Sequence, residues 1–128
     1  RRFIQDPRVS ISSDGSPTGF HPRGHGTFAK ILEQYVREEG SLTLSEAVRL
    51  MTSLPAAQLG IKDRGQLAPG LAADIVVFDP AAVRARATYA EPHRLAEGFD
   101  ALWVNGVQLR SGGAFTSAAG GRVLRPSP

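Results

Sequence analysis

The sequence predicts an α/β fold in two parts, a strand–loop–helix unit followed by a strand-rich region. Residues 9–12 alternate apolar and polar side chains, which is the period of a half-buried strand. From residue 27 the apolar positions recur with the period of an amphipathic helix. After residue 60 turn signals become frequent and β-branched runs replace the helical pattern. We therefore expect two regions, residues 1–60 and residues 61–128.

The composition is that of an ordinary globular chain. It has 128 residues, of which 41% are hydrophobic and 21% charged. The formal net charge is +3, and 13 of the 15 basic residues are arginine, but they are scattered and form no basic block interleaved with aromatic residues. Nucleic-acid binding is therefore not expected. No apolar run has membrane-spanning length and no apolar signal segment opens the chain, so we expect a cytoplasmic protein without a membrane partner.

Three helices are expected before residue 60. Apolar side chains form one stripe along residues 27–39, where Thr27 suits the N-cap position and Gly40 the position after the last turn. Thr43 and Glu46 have the spacing of a capping box, which predicts a helix to about residue 52. A short helical turn then follows and ends at residue 60.

Strands are expected in the second part. Residues 73–78 contain the continuous apolar, mostly β-branched run Ile75-Val76-Val77-Phe78, which predicts a buried strand. Residues 101–110 predict a hairpin, because two extended runs are joined by Asn-Gly, the dipeptide that a type I′ turn prefers. Residues 120–124 predict a last edge strand. Residues 81–98 are irregular, and Tyr89 and Pro92 are the expected anchors of that stretch.

These elements leave exposed faces that need partners. The stripe of residues 27–39 and the faces of residues 73–78 have too few other elements to cover them. The chain also opens abruptly, in a turn. We therefore expect it to be the C-terminal piece of a longer polypeptide, whose remaining N-terminal part completes both layers.

The candidate catalytic and binding residues lie between the first predicted strand and the first predicted helix. Asp14 follows the strand directly, and a loop rich in glycine, proline and histidine leads to Arg23. The carboxyl end of a strand is where α/β barrels place catalytic groups. On spacing alone two interpretations stay open, because Asp14 with Gly15 is also a common turn former and Arg23 equally suits a surface ion pair.

His21 and His25 are four residues apart, a spacing that would place both on one face of a helix. The proline and glycines among them make a helix there unfavourable, and no glutamate accompanies them as in zinc proteases. We therefore expect loop hydrogen bonds instead of a two-histidine metal site. His93 is expected to be structural.

Two blocks of the sequence resemble the D-aminoacylases, the N-acyl-D-amino-acid deacylases of the amidohydrolase superfamily. The first block consists of Ser13-Asp14-Gly15, His21-Pro22-Arg23 and Gly26-Thr27-Phe28. The second consists of residues 64–70 and 73–79, with Val104-Asn105-Gly106 downstream. The first block is specific to the deacylase branch, whereas the second is shared by many amidohydrolases. The resemblance extends from about residue 9 to residue 124.

The resemblance implies a fold and an activity. Residues 1–60 would be the last β/α units of a metal-dependent-hydrolase (β/α)8 TIM barrel, and residues 61–128 part of a small β-sandwich. The activity would be Zn²⁺-dependent hydrolysis of a small-molecule N-acyl-D-amino acid, giving a carboxylate and a free D-amino acid. Asp14 would be the catalytic acid–base group and a metal ligand. Arg23 would hold the α-carboxylate, and Gly15 would also bind substrate.

Some features depart from the family pattern. The loop between Asp14 and Arg23 is shorter, and Gly24-His25 replaces a bulkier apolar pair, which would reshape the pocket. The sequence has no His-x-His motif and no cysteine, so we expect these residues alone to be inactive. Two alternatives stay open: another amidohydrolase, such as a dihydropyrimidinase-like hydrolase of cyclic amides, or a non-catalytic module of the same fold.

Overall fold

The computed structural model describes residues 3–16 and 18–124. The first half is helical: α1 (Arg23–Lys30), a π-helical segment (Ile31–Glu38), α2 (Leu44–Met51) and α3 (Ser53–Gln58). The second half contains β1 (Ile75–Phe78), β2 (Phe99–Val104), β3 (Val107–Ser111) and β4 (Ala114–Phe115). The strands form one antiparallel sheet in chain order. None of the described helices is long and apolar enough to span a bilayer.

Helix α1 begins four residues earlier than the sequence predicts. Thr27 was the expected N-cap, but its hydroxyl donates back to the carbonyl oxygen of Arg23 at 2.8 Å, so Thr27 lies inside the helix. Pro22 occupies the N-cap position with a helical φ of −60°. The expectation that Pro22, Gly24 and Gly26 make a helix here unfavourable is therefore wrong. Gly26 is buried there, and a Cβ on it would lie 3.4 Å from the Cβ of Ala87, at van der Waals contact.

The rest of the predicted helix is π-helical. The N–H of Glu39 donates to the carbonyl of Gln34, five residues earlier, at 2.8 Å. From this segment Glu33 accepts a hydrogen bond from the N–H of Ala85 at 2.7 Å, and Arg37 donates to the carbonyl of Val83 at 2.8 Å. These contacts tie the helical half to the chain that precedes β2.

The capping interaction predicted for α2 is confirmed in part. The hydroxyl of Thr43 accepts a hydrogen bond from the N–H of Glu46 at 3.2 Å. The carboxylate of Glu46 turns instead to Arg49, whose Nε donates to it at 2.9 Å. This hydrogen bond lowers the pKa of Glu46.

The buried core lies between the helices and the segment that leads to β2. Its members are aliphatic and come from the end of α1, the start of the π-helical segment, the loop before α2, α2 itself and residue 83. They are Ala29, Ile31, Leu32, Leu42, Ala47, Leu50 and Val83. Phe78 and Phe99 of the sheet pack against this core, so both halves of the chain share it.

The hairpin prediction is confirmed. β2 and β3 pair around Asn105 and Gly106, whose φ values are +51° and +79°, as a type I′ turn requires. The predicted edge strand at residues 120–124 is wrong, because β4 forms instead at Ala114–Phe115. Near residue 120 the chain is held by the Asn105 side chain, whose Nδ2 donates to the carbonyl of Gly120 at 2.6 Å.

Two further predictions about strands differ from the structure. The predicted buried strand is present as β1, but Val76 and Val77 are 47% and 46% exposed because the described residues leave much of their surface open. Residues 9–12 do not form a strand. They have no ladder partner among the described residues, and the N–H of Ile11 donates instead to the carbonyl of Leu50 at 2.9 Å.

Candidate functional site

Asp14 and Arg23, both singled out from the sequence, meet in the structure. Nη2 of Arg23 lies 2.6 Å from Oδ2 of Asp14. The two side chains are 50% and 78% exposed, respectively, so the pair is open to solvent. One anionic and one cationic group therefore lie side by side where a dissolved small molecule can reach both.

A tight turn presents Asp14. Its φ is +46°, in the left-handed region that aspartate tolerates better than most residues. The hydroxyl of Ser12 accepts from the N–H of Asp14 at 3.3 Å, and that of Ser13 accepts from the N–H of Gly15 at 3.2 Å. Asp14 is thus part of a turn, and the same turn leaves its carboxylate exposed.

Gly15 lets the loop fold back onto helix α1. A Cβ on Gly15 would lie 2.9 Å from the Cα of Gly24, closer than real Cβ atoms approach backbone. A residue with a side chain at position 15 would therefore push the turn away from the helix. This close approach places the first residue of α1, Arg23, next to Asp14.

The ring of His21 holds the backbone of Arg23. The N–H of Arg23 donates to Nδ1 of His21 at 3.1 Å, and Nε2 of His21 lies 3.1 Å from the hydroxyl of Tyr89. Nearby, Nε2 of His93 lies 2.8 Å from the carbonyl oxygen of Gly19. The expectation of loop hydrogen bonds is confirmed for His21. The sequence predicts Tyr89 only as an anchor of its own stretch and gives no signal that it meets this loop.

The structure gives no support to a two-histidine metal site. Both ring nitrogens of His21 are already engaged, and His25 lies within α1 with its ring centroid 5.3 Å from that of His93. Nδ1 of His25 is buried and makes no hydrogen bond within residues 3–16 and 18–124. Across those same residues, no three His, Asp or Glu side chains are grouped closely enough to hold a metal ion.

A second polar cluster and a cleft lie away from Asp14 and Arg23. The guanidinium of Arg64 is 9% exposed, pairs with Asp74 and donates to Oδ1 of Asn105 at 3.0 Å. Its hydrogen bond to Asp63 lowers the pKa of that carboxyl. Arg64 also lines a largely apolar cleft of about 600 Å³ between α3 and β1. Every charge in the cluster has a partner, which indicates a structural role in linking β1 to the hairpin turn.

Comparison with known proteins identifies the family. A model of the amidohydrolase family matches residues 3–110. The chain belongs to the amidohydrolase family. The amidohydrolase chain is 46% identical over 126 residues to a D-aminoacylase from Alcaligenes xylosoxydans xylosoxydans. It is 42% identical over 127 residues to an N-acyl-D-aspartate deacylase from the same organism. These alignments cover 97% and 98% of the chain but 26% of each relative, so it spans about a quarter of their length.

Solved structures agree with the sequence relatives. The crystal structure of a D-aminoacylase, described as defining a novel subset of amidohydrolases, superposes with a TM-score of 0.91 at 42% identity, over 97% of this chain and 27% of that one. An N-acyl-D-glutamate deacylase from Bordetella bronchiseptica, complexed with zinc and a phosphonate mimic of the tetrahedral intermediate, superposes with a TM-score of 0.81 at 40% identity. That match covers 88% of this chain and 27% of the deacylase. The resemblance to D-aminoacylases is thus confirmed.

Proposed function

We propose that this amidohydrolase chain is the C-terminal part of a zinc-dependent enzyme that hydrolyses N-acyl-D-amino acids to a carboxylate and a free D-amino acid. The observation that carries the proposal is the 2.6 Å contact between Asp14 and Arg23. The deacylases among the relatives support the substrate class, and they are also the source of the preference for D-amino acids.

The covalent structure of the substrate explains why the placement of Asp14 and Arg23 suits it. In an N-acyl amino acid, two bonds separate the α-carboxylate carbon from the amide nitrogen that leaves. A group that holds the carboxylate and a group that protonates this nitrogen must therefore be near neighbours. A guanidinium grips a planar carboxylate with two hydrogen bonds, and a carboxylate moves protons. Arg23 and Asp14 supply these two groups side by side.

Each residue has a proposed role. The Asp14 carboxylate accepts the proton of the attacking water at one of its oxygens and then delivers it to the leaving nitrogen. Arg23 orients the substrate by its α-carboxylate. Gly15, the residue that follows Asp14, would lie against the substrate.

The described residues can supply only part of a zinc site. Zinc, when bound, lowers the pKa of a water and polarises the amide carbonyl. A zinc centre needs three or four protein ligands, and the exposed carboxylate of Asp14 is an oxygen donor of the required type. We therefore propose that Asp14 is the one ligand from this chain, and that the others belong to the preceding part of the polypeptide. The zinc in the related deacylase complex supports zinc as the metal.

The same proposal extends to the domains. Residues 1–60 would close a (β/α)8 barrel, in which residues 9–12 gain the ladder partners that they lack among the described residues. Residues 61–128 would be part of a small β-sandwich in which further strands cover Val76 and Val77. The TM-score of 0.91 with a D-aminoacylase supports this placement.

Replacing Asp14 tests the chemistry. We expect Asp14→Asn in the complete polypeptide to lower kcat by at least about a hundredfold, since a positioned acid–base group contributes on this scale. Folding should stay close to wild type, because asparagine also tolerates a positive φ. Zinc content should stay largely intact, because the other ligands of the proposed site are unchanged. Steady-state kinetics with metal analysis checks this. Unchanged turnover would remove Asp14 from the mechanism, and a properly folded wild-type polypeptide without hydrolase activity would favour the non-catalytic alternative.

Replacing Arg23 tests the substrate class. We expect Arg23→Ala to raise KM for N-acyl-D-amino acids about ten- to a hundredfold, because a charge-assisted bidentate contact is lost. The carboxamide analogues of the same substrates have no carboxylate and should be unaffected. Indifference of both substrates to the substitution would favour the cyclic-amide alternative, and Lys62→Ala serves as a control for the loss of one exposed positive charge.

A further inference from the structure

Residues 84–97 form an arm that projects from the start of the sheet and returns to it. At its base the backbones of Arg84 and Glu97 exchange two hydrogen bonds, of 3.2 and 3.1 Å. The carboxylate of Glu97 also pairs with Arg86 at 2.6 Å. At its tip Thr88 and Glu91 close a turn, in which the hydroxyl of Thr88 accepts from the N–H of Glu91 at 3.0 Å. The arm is therefore braced at both ends by its own contacts.

The base of the arm is fixed to the π-helical segment. Glu33 accepts from the N–H of Ala85 and lies 3.6 Å from Nε of Arg84. Arg37 donates to the carbonyl oxygens of Pro80 and Val83, at 3.0 and 2.8 Å. This π-helical segment continues directly from α1, whose first residue is Arg23. The helix that carries Arg23 is therefore the same helix that the base of the arm contacts.

The outer part of the arm reaches the loop that carries Arg23. Tyr89 meets His21, His93 meets the carbonyl of Gly19, and Ala87 packs on Gly26. The rings of Phe20 and His93 also lie 5.3 Å apart. Residues 61 to 74 positions apart in the sequence are thereby joined on both sides of Arg23.

The hydrogen bonds of His21 form a directed chain. Its Nδ1 accepts the N–H of Arg23, so in the neutral ring the proton is on Nε2. Nε2 then donates to the hydroxyl oxygen of Tyr89. Arg23 opens α1, where the first N–H groups have no helical acceptor, and Pro22 has no side-chain acceptor to offer. The tautomer that serves Arg23 is therefore compatible with the contact to Tyr89, whose hydroxyl oxygen then accepts the hydrogen bond.

We propose that Tyr89 is a positioning residue for Arg23, acting through His21, and that the arm thereby sets the affinity of the site for the substrate's carboxylate. This inference rests on the proposed function, since it requires Arg23 to bind that carboxylate. Tyr89 itself does not touch the substrate.

The test compares Tyr89→Phe with Arg94→Gln in the complete polypeptide. Tyr89→Phe removes only the hydroxyl, whereas Arg94→Gln removes an ion pair with Glu91 that lies wholly within the arm. The substrates are an N-acetyl-D-amino acid and its carboxamide. For the acid we expect Tyr89→Phe to raise KM about three- to tenfold, the scale of one hydrogen bond, with kcat within about twofold of wild type. The carboxamide should show no change, and Arg94→Gln should resemble wild type with both substrates.

A double-mutant cycle asks whether the effect passes through His21. In a His21→Ala background Tyr89→Phe should raise KM no further, because the path to Arg23 is already cut. Unchanged KM in the single variant, equal rises for acid and carboxamide, or additive effects in the cycle would each overturn the inference.

A second measurement separates this inference from the proposed function. If Arg23→Ala leaves KM unchanged, the proposed function fails, and the arm is then judged by deuterium uptake of the peptide covering residues 18–26. Faster uptake in Tyr89→Phe than in Arg94→Gln would support positioning of the loop by Tyr89. Equal uptake in the two variants would overturn it.

Discussion

Gly98 occupies the most restrictive single position at the junction of the two halves. Its φ is +83°, and a Cβ there would lie 2.5 Å from the backbone nitrogen of Val83. Val83 is fully buried in the core, so neither backbone can move away without opening it. Gly70 has a similar φ of +85° but nothing within 4 Å of the added Cβ. The two glycines share a backbone requirement and differ in their surroundings.

Substituting Gly70 and Gly98 separately distinguishes the cost of backbone strain from the cost of a steric clash. We expect Gly70→Ala to lower the free energy of unfolding by about 1 kcal/mol, the cost of a side chain in the left-handed region. Gly98→Ala should lower it by more than about 3 kcal/mol, since the clash with the Val83 backbone adds to the same strain. Thermal unfolding followed by circular dichroism measures the difference. Equal decreases in the free energy of unfolding for the two variants would mean that the backbone around Gly98 adjusts to the added Cβ at no cost.

At the scale of elements, the predictions that succeeded depend on local chemistry. The Asn105-Gly106 turn, the Thr43 cap and the ending of α3 near residue 60 each follow from a few neighbouring residues. The predictions that failed depend on distant partners. Whether residues 9–12 form a strand is decided by the strands beside them, and the edge position next to β3 is taken by Ala114–Phe115 instead of residues 120–124.

The candidate site divides in the same way. Asp14 and Arg23 were found in the sequence because they belong to one short block, and the structure joins them in an ion pair. Tyr89 and His93 come from the arm, 68 and 74 positions from their partners, and no local pattern marks them as neighbours of that block. Sequence patterns therefore predicted the charged groups of the site but not the residues that hold them in place.

On the scale of the whole molecule, a small core coexists with open apolar surface. Among residues 3–16 and 18–124, seven form the buried core, whereas Leu59 and Leu67, both at the cleft beside β1, are 62% and 78% exposed. The chain also spans 26% of the length of its deacylase relatives. Both observations favour a chain that functions together with further polypeptide.

The 128-residue chain alone should therefore be inactive. We expect no release of D-amino acid from N-acyl-D-amino acids even with added Zn²⁺, because no three His, Asp or Glu side chains of the described residues are grouped to hold a metal ion and a zinc centre needs three or four ligands. The complete polypeptide should hydrolyse the same substrates. A chromatographic assay for the free amino acid compares the two. Zinc-dependent turnover by the isolated chain would contradict the assignment of the remaining ligands to the preceding part of the polypeptide.

The contact between Asp14 and Arg23 makes carboxylate binding an exchange of counter-ions. An arriving carboxylate meets a guanidinium that already has an anionic partner at Nη2, and it competes with that partner for the N–H donors. Since both side chains are well hydrated, the displaced pair is worth at most about 1 kcal/mol, which weakens the net affinity no more than about fivefold. In the proposed reaction, binding of the substrate's carboxylate to Arg23 also releases Asp14 for proton transfer at the amide nitrogen.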